Sequence, residues 1–272
     1  MKRTPVWLTT AITIVSATAV SPTVVAQEAS VRERGSVLFG AFVTDRNTST
    51  RLDSASGEGT DLDLEDDLGL ESSMSVARIA GYYWLTPRHR LDAGYFDLSR
   101  SATNPIQETI EFGDRTFDVN TLIETENDLS ILKADYTYAA LARERGFLGI
   151  TAGLYVGEIS MTLSAPRLGS SESESLTAPL PVVGLRGDYA ITDRFTLSGA
   201  AQWFGFETDD VDGTLRDIYV GADYGFGERM AIGLAYNQVA MSIAATEEHG
   251  FRGSIDWAYD GLLLYFKLGF GP

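Results

Sequence analysis

The chain has 272 residues, no cysteine and a formal charge of −17, so it is long enough for one or two domains and too acidic to make nucleic acid or anionic head groups its direct partners. The lack of cysteine excludes a disulfide scaffold, a thiolate metal site and a lipid anchor on cysteine. Mean hydropathy is close to neutral, which leaves open a protein that crosses a membrane with strands, because only every second residue of such a strand faces lipid.

Residues 1–26 read as a removable secretory signal. Lys2 and Arg3 make a basic start, residues 6–20 are apolar but diluted by Thr and Ser, and Val24, Val25 and Ala26 offer small residues at a cleavage site. The apolar run is shorter than the ~20 residues a spanning helix needs. Cleavage near Gln27 removes two positive charges and takes the formal charge from −17 to −19. The rest, 27–272, is expected to be one domain.

Along that domain, period-2 segments follow one another at 36–45, 74–85, 90–100, 129–142, 147–163, 176–191, 194–206, 215–226, 230–243 and 251–270. Polar turns of the hairpin kind join them at 86–89, 143–146, 192–193 and 227–228. Longer acidic or serine-rich connections fill 46–73, 101–128, 164–175, 207–214 and 244–250. Sorting of connections by length belongs to a transmembrane antiparallel up-and-down β-barrel, with short periplasmic turns and long extracellular loops. The pattern predicts an all-β fold of about ten strands, with eight or twelve as alternatives. An even count puts both ends of the domain in the periplasm.

Charge assigns the faces, because Arg or Lys at the bilayer midplane costs roughly 2–4 kcal/mol. Arg78, Asp92, Lys133, Asp135, Arg186, Asp188, Asp217, Asp223 and Lys267 are therefore expected inside, together with Gln202. Leu132, Tyr136, Leu185, Tyr189, Val220 and Trp203 take the lipid-facing parity. Asp97 and Asp260 share that lipid parity, which requires either that the membrane ends below them or that a β-bulge resets the register. Tyr83, Tyr138, Tyr189, Tyr224, Phe226 and Phe270 fall near the periplasmic ends as an interfacial girdle.

The last segment carries the most specific signal. Leu262, Leu264, Phe266, Leu268 and Phe270 alternate with Leu263, Tyr265, Lys267 and Gly269, so one face is wholly apolar and the other holds a lysine. It resembles the closing strand of bacterial outer-membrane β-barrels, whose assembly signal is an amphipathic strand ending in an aromatic residue. That resemblance makes Leu264, Phe266, Leu268 and Phe270 the expected assembly signal, although Gly271 and Pro272 follow. It implies outer-membrane localisation in a Gram-negative cell, with lipid, lipopolysaccharide and the barrel-assembly machinery as partners. The acidic run at 61–70, the turn after Thr86 and the Ala178-Pro179-Leu180-Pro181 stretch also look like small proteobacterial outer-membrane proteins of unassigned function.

Function is less legible. A charged interior reads either as the paired filling of a narrow barrel or as a charge-selective pore lining, and ten strands favour filling. Of the two histidines, His89 sits in a turn and His249 in an extracellular loop, where omptin proteases and some lipid A-modifying barrels place a catalytic histidine. The accompanying omptin aspartates, and the serine that deacylases and phospholipases need, are not matched. No catalytic residue, cofactor or dedicated metal site is expected. In the acidic run, Asp61, Asp63 and Glu65 alternate with Leu62 and Leu64, which suits an added strand, a solvated negative loop or a loose oxygen site for Ca²⁺ or Mg²⁺. The expectation is a structural or surface-interaction barrel, with a small-solute porin as the alternative and an outer-membrane enzyme third.

Overall fold

The computed structural model describes residues 33–54, 59–113, 115–207, 211–245 and 253–271. The expected signal at 1–26 lies outside the described residues, as do Asp209, Asp210, Glu247, Glu248 and His249.

The strands are β1 (Gly35–Leu52), β2 (Leu62–Asp63), β3 (Ser73–Thr86), β4 (His89–Pro105), β5 (Ile110–Phe112), β6 (Arg115–Phe117), β7 (Leu122–Arg143), β8 (Gly146–Ala165), β9 (Ser170–Ala190), β10 (Phe195–Glu207), β11 (Val211–Phe226), β12 (Met230–Ala245) and β13 (Gly253–Phe270). Ten of them form the wall, in the order β1-β3-β4-β7-β8-β9-β10-β11-β12-β13, each antiparallel to the next. The closing strand β13 returns to β1 and pairs along its whole length, from Gly35 opposite Phe270 to Leu52 opposite Gly253. Gly35 is required there: a Cβ would sit 2.5 Å from the Phe270 ring.

Alternation generates the wall's two faces. Leu132, Tyr136 and Tyr138 on β7, Val183, Leu185 and Tyr189 on β9, and Leu262, Leu264, Phe266, Leu268 and Phe270 on β13 point outward and are exposed. Their strand neighbours Asp135, Thr137, Val182, Leu263 and Tyr265 are buried inside. The outward residues form an apolar belt that only hydrocarbon can cover at this size. At its lower edge Tyr83 stacks on Phe270 at 6.4 Å, within the girdle that Tyr138, Tyr189, Tyr224 and Phe226 continue.

Asp97 and Asp260 face outward, and the ladders around them run without a register shift. The two irregularities in the wall, between Trp84 and Thr86 and between Tyr138 and Leu141, lie at the opposite end. The charges therefore mark the upper edge of the belt. From Asp260 to Phe270 the strand rises about 33 Å, roughly 25 Å along the barrel axis at the tilt of such strands. That matches the height of an outer-membrane apolar band.

On the periplasmic side the turns fall within one or two residues of the expected places. Gly227 turns with φ 78° between β11 and β12, and the Thr192 hydroxyl accepts from the Phe195 N–H at 3.0 Å between β9 and β10. On the other side the strands overrun the sequence expectation. β1 continues to Leu52, β7 starts at Leu122 and β9 at Ser170, so the loop expected at 164–175 shrinks to a turn that ends at Gly169. Above the belt a strand is wet on its outer face and loses the apolar alternation by which it is recognised.

Candidate functional site

Interior side chains of Arg78, Asp92, Lys133, Asp135, Arg186, Asp188 and Asp217 meet in a layer across the lumen, with Asp223 and Lys267 paired beside it. At the periplasmic end Lys267 donates to Asp223 at 3.1 Å, and the Tyr265 hydroxyl donates to the same carboxylate at 2.5 Å. Arg90 lies between Asp92 and Asp188, 2.7 Å from each, with its guanidinium 4.0 Å above the Tyr82 ring. Arg186 reaches Asp135 at 3.2 Å and Asp92 at 3.7 Å. Lys133 donates to Asp217 at 2.8 Å and to Gln202 at 2.6 Å, while the Gln202 amide donates to Asp135 at 2.8 Å.

Higher up, the Asn237 amide donates to Asp217 at 2.7 Å, and Arg78 donates to the Asn237 carbonyl at 2.8 Å. The Arg78 guanidinium also lies over the rings of Phe42 and Phe96, at 5.9 and 5.5 Å. In and beside this layer the cations Arg78, Arg90, Lys133, Arg186 and Lys267 are matched one for one by Asp92, Asp135, Asp188, Asp217 and Asp223. Such matching is what lets charge stay inside a narrow barrel, since an unpaired buried ion costs several kcal/mol.

Sequence reasoning placed Tyr265 on the inner face beside Lys267 but passed over Arg90, Asn237 and Tyr155, whose hydroxyl donates to Asp217, as members of this layer. Arg90 shares its strand parity with Asp92, which was signal enough. Tyr155 and Asn237 carry no charge and gave none.

Above the polar layer the lumen turns apolar. Tyr259 packs edge-on against Phe42, Phe96 and Trp257 with ring centroids 5.3, 5.7 and 4.8 Å apart. Ile131, Val182 and Val239 complete the level. The extracellular mouth is then covered from above by two loops. Leu62, Leu64, Leu68 and Leu70 of the acidic run, with Ile106, Ile110, Phe112 and Phe117 around the β5–β6 hairpin, are each at most 3 % exposed.

The acidic run thus buries its leucines and turns Glu65 inward, while Asp61, Asp66 and Asp67 stay exposed. β2 pairs with β1, Asp63 opposite Ser49 and Leu62 opposite Thr50, on the edge left free where β3 begins. The Asp63 carboxylate accepts from the Glu65 and Asp66 N–H groups at 3.0 and 2.9 Å, and Asp67 accepts from the Asp63 N–H at 2.8 Å. Those carboxylates hold a turn in the manner of capping residues. Glu65 turns inward, accepts from the Thr48 N–H at 2.8 Å and pairs with Arg100, which donates in addition to Thr48 and Asn127 at 3.0 and 3.1 Å.

One step below this cluster, and just above the belt, lies Arg46. It is 6 % exposed, and neither of its terminal nitrogens has a hydrogen-bond partner among the described residues. Burial, followed by repulsion from Arg100, holds its guanidinium down at about 10, with Glu65 pulling the other way.

No family model matches the sequence, and no curated protein matches it. Solved structures do match. The outer-membrane protease OmpT of Escherichia coli is similar with TM-score 0.54 at 13 % identity, over 87 % of this chain and 96 % of that one. The attachment invasion locus protein Ail of Yersinia pestis (TM-score 0.38, 10 % identity, 85 % and 99 % covered) and the toluene transporter TodX of Pseudomonas putida (0.31, 10 %, 89 % and 91 %) also match. At such identities the likeness is one of fold, and it agrees with the closed wall and the apolar belt: the chain is a ten-stranded transmembrane β-barrel of the bacterial outer-membrane type.

Proposed function

We propose that this protein is a non-conducting, non-catalytic outer-membrane barrel that acts at the cell surface through a rigid extracellular extension. The observation that carries this reading is the lumen's double closure, a charge-matched polar layer below and a leucine- and phenylalanine-lined cap above. A pore would not need the cap. The cap also turns what would be loose loops into a small folded core outside the membrane, which suits a surface that holds its shape for a partner.

The outer rim supports a lipid-side partner. Asp45, Asp97, Glu126, Asp128, Glu158, Asp256 and Asp260 face outward above the belt, at the level of lipopolysaccharide phosphates. Divalent cations bridging the two need only oxygen ligands and loose geometry. His89 packs beside Tyr136 and Tyr138 at the periplasmic rim, and His249 lies outside the described residues.

Planar-bilayer recording of refolded protein tests the reading. No steady conductance is expected in symmetric salt. Ohmic steps that scale with salt concentration would favour the small-solute channel instead.

A further inference from the structure

The wall is not equally closed all the way round. β9 and β10 pair from Ala190 opposite Thr196 up to Val183 opposite Trp203, and there their ladder stops. Both strands continue. β9 runs on to Ser170 paired with β8, and β10 runs to Glu207 paired with β11.

The sequence explains the stop. The Ala190 N–H donates toward β8, to the Arg145 carbonyl, whereas the Ile191 N–H donates toward β10, to the Phe195 carbonyl. With the β8–β9 register unbroken, the odd-numbered residues of β9 present their nitrogens to β10. Continuing the β9–β10 register beyond Val183 would set residue 181 opposite Gly205 and residue 179 opposite Glu207. Residues 181 and 179 are both proline, without an N–H to give. Two of the four donors that would close the seam are missing.

Three positions record the opening. A Cβ on Gly205 would meet no atom within 4 Å. Phe206 has the inward parity of β10 yet is 47 % exposed, stacked on Phe204 at 6.4 Å. On the inner wall beside the seam, a Cβ on Gly157 would also meet nothing within 4 Å, and its partner across the ladder is the small Ala178. Above Val183 the seam thus lacks ladder hydrogen bonds, and beside it the inner wall at Gly157 and Ala178 carries no bulky side chain.

The bilayer sets what the seam meets. On β8 the first outward charge above the belt is Glu158, one step beyond the level of Pro179, and on β10 it is Glu207, level with Pro179, so Pro181 lies inside the charged rim and Pro179 at its edge. Arg216 projects outward directly opposite Trp203 at the seam's edge. It stands amid an acidic rim and makes no ion pair among the described residues. We propose that this seam is a lipid-binding site: one acyl chain of a phosphate-bearing outer-leaflet lipid enters between Pro179, Pro181 and Gly205, and its phosphate rests on Arg216.

The site goes beyond the surface role proposed above, and a conducting barrel would leave its test unchanged. Refolded protein is placed in vesicles doped with phosphatidylglycerol carrying a terminal diazirine on one acyl chain, irradiated and mapped by peptide mass. Adducts on the inward residues Ala178, Leu180, Phe204 or Phe206 are expected, in addition to adducts on outward residues such as Leu185 and Val220. The pair Pro179→Val and Pro181→Val restores both donors and should cut inward labelling at least tenfold, with outward labelling kept as the control for folding. Arg216→Gln should lower inward labelling by the phospholipid several-fold and leave that by an uncharged diazirine diacylglycerol unchanged. Labelling confined to outward residues in the wild type would overturn the site. Inward labelling indifferent to the proline pair or to Arg216 would overturn the roles given to them.

Discussion

Asp217 and Arg46 are both buried charges, and their surroundings predict opposite consequences of losing them. Asp217 accepts from Lys133, Tyr155 and Asn237, so Asp217→Ala leaves the Lys133 ammonium only the more distant Asp135 carboxylate, 3.6 Å away, as a counterion, and should destabilise the barrel by about 3 kcal/mol. Arg46 already lacks partners for its terminal nitrogens among the described residues. A base held below its ordinary value in the folded chain costs stability wherever it is charged, a cost relieved only as pH rises through about 10. Arg46→Met should therefore raise stability at neutral pH by about 1–3 kcal/mol. Urea midpoints in lipid vesicles would check both, and a fall for Arg46→Met would mean that the guanidinium has a partner. Charge and parity in the sequence marked which residues turn inward. Their partners lie on strands up to half the barrel away, and no local pattern encodes that.

At the scale of the strand, membrane faces and membrane edges were legible to different degrees. The ten wall strands and their outward parities followed from period-2 alternation, since hydrocarbon imposes that pattern within the belt. Strand ends above the belt did not, because Ser170 to Ser175 alternates serine with glutamate and reads as a loop. Height therefore decides the cost of a charge as much as parity does. Leu185→Arg in the belt should cost roughly 2–4 kcal/mol, whereas Asp97→Arg, also outward but at the upper edge, should cost about 0–1 kcal/mol. Equal losses in refolding yield would place Asp97 within the hydrocarbon. The inward position 202 is no safe place for a cation either, since Gln202 is 1 % exposed and already hydrogen-bonded to Lys133 and Asp135.

For the whole molecule the question is whether either closure seals the lumen alone. Ten strands enclose a lumen that side chains can span, and the polar layer spans it with matched ions, while the cap rests on apolar loop residues that bond mainly to the upper wall. The two share few side chains, so they should fail independently. Replacing residues 106–121, which carry the β5–β6 hairpin, and residues 61–70 with short Gly-Ser links opens the mouth but leaves the polar layer intact. Changing Lys133, Asp135, Arg186 and Asp217 together to serine keeps the formal charge and thins the polar layer while the cap stays. Neither variant alone should conduct in planar bilayers, and the combination should, with conductance rising in proportion to salt. Steps from the loop replacement alone would show that the polar layer is permeable, and the cap would then be a gate on a narrow pore.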